Sequence, residues 1–186
     1  TIGEGSSNYY SPHAILLPYI EEAAIYEAFN LEINPWADAN KVTAESQPSV
    51  FLCPSDPNHQ DSLGTAMGWT NYHANAGSWV KLSKDWDGVF GPGVPISGLY
   101  PALKPLPLRK VPDGLSKTAA FAEVVNGYGP TNAEPDGLID CFDIGSVPST
   151  DPVAARNFLM SQDWHTKSVP WSGDWRGRGC PWDAGR

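Results

Sequence analysis

The stretch FLCPSDP, residues 51–57, determines the local course of the chain. A short apolar run leads into a corner that contains two prolines, Pro54 and Pro57. Each proline fixes its own φ angle and disfavours helical geometry in the residue before it. The pattern therefore predicts a strand end followed by a tight turn, with Cys53 at the corner and Asp56 inside it.

The segment before this corner is predicted to be helical. Ser11 and Pro12 form a favoured pair of N-cap and first helical residue. Pro18 interrupts the helix, which is predicted to restart at Tyr19. Apolar side chains lie on nearly all sides of residues 19–29. We therefore expect this helix to be contacted on more than one side, either by its own domain or by another segment.

Two later stretches are predicted to form strands. GWTNYHANAG, residues 68–77, alternates large and small side chains and ends at a glycine. TAAFAEVV, residues 118–125, is predicted to be a central strand in which Glu123 stands among apolar side chains. A carboxylate in such a place must be paired, hydrogen-bonded or at an edge, which makes Glu123 a candidate for acid-dependent hydrolysis.

The composition limits the classes of function. The 186 residues carry a net charge of −9, and an acidic surface repels the phosphates of nucleic acids and of anionic membranes. No apolar run approaches the roughly 20 residues that span a bilayer. Eighteen glycines and eighteen prolines indicate one loop-rich domain that favours strands over long helices.

The cysteines and histidines give weak signals for a metal site. Cys53, Cys141 and Cys180 are odd in number, so they form at most one internal disulfide, and their connectivity stays open between a Cys141–Cys180 bridge and three buried thiols. A zinc site would have to gather Cys53, His59 and His73 from distant positions. The histidines are otherwise interpreted as surface or hydrogen-bonded side chains.

The acidic loop EPDGLIDCFD, residues 134–143, is a candidate calcium site. Asp136, Asp140 and Asp143 would supply oxygen ligands together with backbone carbonyls. Their spacing does not match an EF-hand loop, so the alternative is a solvated acidic loop. The sequence indicates no other cofactor.

Four tryptophans stand close together near the end of the sequence. They either clamp the core and loops, or form an exposed surface on which a sugar or a protein stacks. The four are Trp164, Trp171, Trp175 and Trp182.

Five motifs follow one another in a specific order. They are LLPYIEEAAIYEAFNLEINPW (16–36), FLCPSDP (51–57), TNYHANAG (70–77), DGVF (87–90) and VPDGLSKTAAFAE (111–123). In this order they resemble a large paralogous planctomycete family of unknown function whose members begin with a prepilin-type cleavage and methylation segment. These proteins are similar to type II secretion pseudopilins and carry an older label of bacterial solute-binding protein. The likeness covers residues 12–125.

The resemblance implies a pilin-like α+β fold, with an N-terminal helical segment packed on a small antiparallel sheet and long irregular loops. It implies one pseudopilin-like domain over residues 1–186, without the hydrophobic prepilin helix expected before Thr1 and the closing segment expected after Arg186. It also implies an extracytoplasmic location, in the periplasm or at the cell surface. The missing helix would anchor the precursor in the membrane and mediate self-association and contacts with other envelope or pilus-like subunits.

The family offers no catalytic residues to carry over. Its matching positions are interpreted as fold-defining turns and pairings, with Asp113 capping the turn that starts at Leu115. We therefore expect a non-enzymatic structural or assembly subunit. The alternatives are a solute- or glycan-binding module that uses the tryptophan-rich region, and a hydrolase around Glu123. The positions interpreted as fold-defining are Cys53, Pro54, Asp56, Pro57, Asn71, Asp113, Gly114 and Glu123.

Overall fold

The computed structural model describes residues 10–35, 37–56, 68–77, 88–91, 106–126, 147 and 150–166, with the side chain of Trp164 excepted. In these residues the helices are α1 (Pro12–Leu16), α2 (Ala23–Ala28), α3 (Lys41–Ala44) and α4 (Pro152–Met160). The strands are β1 (Tyr72–Ala74) and β2 (Phe121–Glu123). Short 3-10 helices lie at Leu17–Tyr19, Asp38–Asn40, Ser49–Phe51, Leu108–Lys110, Leu115–Lys117 and Trp164–Thr166. The fold class is α+β, as predicted.

Helix α1 begins where the sequence predicts. The Ser11 hydroxyl accepts a hydrogen bond from the Ala14 amide at 3.3 Å, and Pro12 is the first helical residue. Such a side-chain cap satisfies one of the amides that the first turn leaves without a helical partner. None of the helices in the described ranges has the length and apolarity that crossing a membrane requires.

The predicted restart of the helix at Tyr19 is wrong. Glu21 adopts a φ angle of 67°, and the Glu22 amide donates to the Leu17 carbonyl at 3.0 Å. This six-residue closure is the kind that ends a helix in a Schellman motif, where glycine usually occupies the left-handed position. Helix α2 therefore begins only at Ala23.

The corner at residues 51–57 contains the predicted turn but not the predicted strand. The Asp56 amide donates to the Cys53 carbonyl at 3.1 Å, which closes the turn. Before it, Ser49–Phe51 is a 3-10 helix, in which the Phe51 amide donates to the Pro48 carbonyl at 3.0 Å. Pro57 lies outside the described residues.

The sheet pairs β1 with β2 in antiparallel orientation. Tyr72 lies opposite Glu123, and Ala74 lies opposite Phe121. Because this sheet has two strands in the described part of the chain, β2 is not the central strand that the sequence predicts. Gly88 packs against the chain just after β1. It lies so close to the backbone of residues 75–77 that a Cβ atom on Gly88 would collide with that backbone.

The core lies between the helical segment and the corner. Its buried side chains come, in chain order, from α1, the 3-10 helix after it, the end of α2, α3 and the turn before Cys53. They are Ala14, Leu17, Phe29, Ala44 and Phe51. Helix α2 contributes only half-buried side chains, Ile25 and Tyr26, while Ala23, Ala24 and Ala28 are exposed. Among the described residues, α2 therefore meets the core on one side.

Candidate functional site

Asn71, directly before β1, ties the corner to the sheet. Its backbone amide donates to the Phe51 carbonyl at 2.8 Å, and its side-chain oxygen accepts from the Cys53 amide at 2.8 Å. Its side-chain nitrogen donates to the Val124 carbonyl at 2.9 Å, and its backbone carbonyl accepts from the Val124 amide at 2.7 Å. One residue, only 1% exposed, thus fixes the corner against the end of β2.

The Asp56 carboxylate completes this junction. One of its oxygens accepts from the Asn71 side-chain nitrogen and, at 2.9 Å, from the Asn126 amide. The Asn126 side chain in turn donates to the Asn71 side-chain oxygen at 3.4 Å. All three residues are buried, and we call them the Asp56–Asn71–Asn126 cluster.

The chemistry of this cluster is that of a charge held by amides. A buried carboxylate is expensive unless hydrogen-bond donors surround it, and bonds to an ionised acceptor are stronger than neutral ones. Here the donors are a side-chain amide and a backbone amide from separate parts of the chain. The structure thus brings together three positions singled out from the sequence, Cys53, Asp56 and Asn71. Asn126 was missed, and nothing in its local sequence points to it.

A further buried asparagine, Asn40, links parts of the helical segment through hydrogen bonds. The Asn40 side chain is fully buried, and its nitrogen donates to the Tyr10 hydroxyl at 2.7 Å and to the Asn34 carbonyl at 3.1 Å. Its side-chain oxygen accepts from the Asn30 amide at 2.9 Å. Asn40 and Asn71 therefore both satisfy backbone groups of irregular segments, which is what loops need in order to lie against a core.

Glu123 does not occupy the apolar surroundings predicted for it. Its side chain is exposed at the end of β2, although the alternation along the strand places it on the same face as Phe121, which is half-buried. The reason is that β2 belongs to a short two-stranded ladder in the described residues rather than to the middle of a sheet. The exposed position agrees with the edge alternative, and the apolar surroundings that made Glu123 a candidate for hydrolysis are not observed.

The turn at Leu115–Lys117 is not capped by Asp113. Gly114 stands at its N-cap position with a φ angle of 78°, and no side chain caps the turn. The Thr118 hydroxyl instead donates to the Gly114 carbonyl at 3.1 Å. Gly114 is at this position because its left-handed backbone is unfavourable for residues with a Cβ atom.

His13 is buried rather than at the surface, and it is not hydrogen-bonded as predicted for the histidines. Its ring lies edge-on against Phe51 and Phe121, with centroid separations of 5.0 and 5.3 Å. Neither ring nitrogen makes a hydrogen bond of normal geometry, although the Tyr72 backbone lies close enough to favour the protonated ring. Burial lowers the pKa of His13 from 6.5 to about 4; the Tyr72 backbone opposes this shift, and the charge of His73 acts in the same direction as burial. His13 is therefore neutral at physiological pH.

Over residues 1–185 the chain matches the family described as "Protein of unknown function (DUF1559)", with the label SBP_bac_10. The chain belongs to this family. No curated protein and no solved structure shows significant similarity to it. The family description states no activity, so a function for this DUF1559 protein has to be argued from its own residues.

Of the remaining candidates in this DUF1559 chain, the two that the structure describes, His73 and Cys53, do not form part of a metal site within the described residues. His73 is exposed on β1 and Cys53 is half-buried, and the described ranges contain no group of three or more metal-binding side chains. The other sequence-based candidates lie outside the described residues. They are His59, the calcium candidates Asp136, Asp140 and Asp143, the cysteines Cys141 and Cys180, the tryptophans Trp171, Trp175 and Trp182, and the side chain of Trp164.

Proposed function

We propose that the chain is a non-enzymatic, extracytoplasmic structural or assembly subunit of pilin-like, pseudopilin type. The observation that carries the proposal is the set of exposed apolar side chains along the helical segment at residues 12–28, in which Glu21 and Glu27 are the exposed charged residues. Ile15 and Tyr19 are 49% and 81% exposed, and they are four residues apart in a helical run, so they lie on one side. Exposed apolar side chains that lie together favour a surface that another protein segment covers.

The neighbouring helices extend this apolar character. The α2 residues Ala23, Ala24 and Ala28 are exposed, and Val42 on α3 is 81% exposed. Helix α3 lies beside the end of α2, where the Thr43 hydroxyl donates to the Ala28 carbonyl at 3.4 Å. In the proposal, these exposed apolar side chains pack against the hydrophobic helix of a pilin-like subunit, which removes them from water.

The Asp56–Asn71–Asn126 cluster supports a scaffolding role for the motif residues. Their polar atoms bond to one another and to backbone groups of the corner and of β2. Such bonds hold loops in position, and they occupy the polar atoms of the motif residues in structural hydrogen bonds. A subunit that presents a fixed surface to its neighbours needs this kind of internal bracing.

Site-specific photocrosslinking in cells tests the proposal. A photoreactive amino acid replaces Tyr19 in the full-length protein, and a matched variant carries it at Ser116, which is exposed on a turn outside the helical segment. We expect the Tyr19 probe to give a discrete adduct in the envelope fraction and the Ser116 probe to give much less. Equal yields from the two positions, with the protein recovered free in the soluble fraction, would contradict the proposal.

A further inference from the structure

His13 stands where three parts of the fold meet. It belongs to α1, and its ring is held between Phe51 of the turn before the corner and Phe121 of β2. Phe90 packs against the same Phe121 ring at a centroid separation of 5.0 Å. The His13 imidazole therefore forms a contact between the helical segment and β2 of the sheet.

An imidazole is a costly side chain in this place. Both ring nitrogens are buried without a hydrogen bond of normal geometry, although the Tyr72 backbone lies close enough to favour the protonated ring. Burying a polar group that is poorly satisfied costs free energy. A phenylalanine or leucine would fill the same space without that cost. What the imidazole adds is the capacity to acquire a proton and a charge in the pH range below neutrality.

The described side chains packed against the ring carry no buried negative charge, and the polar group that favours protonation is the Tyr72 backbone. Residues 49–51 of the packing turn carry no ionisable side chain. From β1 the titratable neighbour is His73, which becomes positive itself and so opposes protonation of His13. On β2 the ionisable side chain is Glu123, which is exposed to solvent. Among the described residues packed against the ring, a charged His13 therefore finds no buried counter-ion.

We propose that His13 is an acid-sensitive joint, and that its protonation releases α1 from between Phe51 and Phe121. The released segment carries the exposed Ile15 and Tyr19, so acidification loosens the part of the molecule that presents this apolar surface. The inference concerns the fold itself and holds whether or not the protein assembles as proposed above.

The direction of the pH dependence follows from the pKa of the two states. In the docked state the pKa of His13 is about 4, and in the released state it returns to the ordinary value of 6.5. Between these values the released state binds more protons, so docking weakens as the pH falls. From pH 7 to pH 5 the released fraction should rise about twentyfold, and below about pH 4 this contribution is exhausted.

Amide hydrogen exchange on the full-length protein measures the release. Protection of Pro12–Leu16, corrected for intrinsic exchange rates, is compared between pH 7 and pH 5 in the wild type, in His13→Phe and in His165→Gln. His165 is the matched control because its side chain is exposed and bonded to Asp163. Peptides from α4 report any general loosening of the protein.

We expect the wild type and His165→Gln to lose protection in α1 about twentyfold at pH 5, and His13→Phe to keep it. If His13→Phe does not fold, His13→Leu takes its place, and nuclear magnetic resonance titration of the wild-type ring reads the pKa directly. An equal loss in the His13 variants, an unchanged wild type, or a ring that titrates near 6.5 would each overturn the inference.

Discussion

Replacing Asn71 with alanine removes the residue that holds the corner, β1 and the end of β2 together. The substitution deletes side-chain hydrogen bonds to the Cys53 amide, the Val124 carbonyl and the Asp56 carboxylate, besides the long bond from the Asn126 side chain. At about 1 kcal/mol for each bond, the direct loss is about 3 kcal/mol. Leaving a buried carboxylate short of a donor adds about 1–3 kcal/mol, so we expect Asn71→Ala to cost about 4–6 kcal/mol in the free energy of unfolding.

Urea denaturation followed by circular dichroism measures this loss. The matched control is Asn157→Ala, because Asn157 is exposed on α4 and alanine is a better helix former. We expect the control to lie within about 0.5 kcal/mol of the wild type. Asn71→Asp keeps the shape but removes the amide donors and adds a second carboxylate beside Asp56, so it should be at least as destabilising at pH 7 and should recover part of the loss at lower pH.

A loss of less than about 1 kcal/mol for Asn71→Ala would refute this account of the junction. Equal stability of Asn71→Asp and Asn71→Ala at every pH would show that the Asp56 charge is not part of it. If Asn71→Ala is as stable as the wild type, with the same slope of unfolding free energy against urea concentration, other residues must hold the corner against the sheet.

Three further substitutions test separate parts of the account. Gly88→Ala should lower the melting temperature by several degrees, because its Cβ atom would collide with the backbone of residues 75–77. Gly114→Ala should cost about 1–3 kcal/mol, because its φ and ψ angles are strained for alanine although the space beside it is open. Tyr19→Ser should leave the urea midpoint nearly unchanged and reduce the fraction of the full-length protein found in species larger than one chain, and a large loss of stability would show that Tyr19 serves the fold. Glu123→Gln should shift stability by less than about 0.5 kcal/mol, and a larger effect would point to a partner for this carboxylate.

Local signals in the sequence predicted local structure correctly. The Ser11–Pro12 pair marks the start of α1, the prolines mark the turn at Cys53, and the alternating stretches contain β1 and β2. Each of these depends on a few neighbouring residues and their backbone preferences, which a sequence displays directly.

The errors arose where a turn has no residue that signals it, or where distant residues decide the outcome. Helix α2 starts late because the Leu17 carbonyl captures the Glu22 amide and forces Glu21 into a left-handed conformation, with no glycine to announce it. The burial of His13 depends on which aromatic rings meet across the core. The contact between Asp56 and Asn126 joins residues 70 positions apart, a distance at which periodicity carries no information.

The native size and location of the full-length protein in gently lysed cells of its source organism test the central claim most directly. We expect the protein to sediment with the envelope in a species larger than one chain. Detergent, which replaces the apolar contacts of the helical segment, should release the protein from the envelope. A free monomeric pool outside the envelope, carrying a bound solute or glycan, would contradict the claim and support a binding module instead.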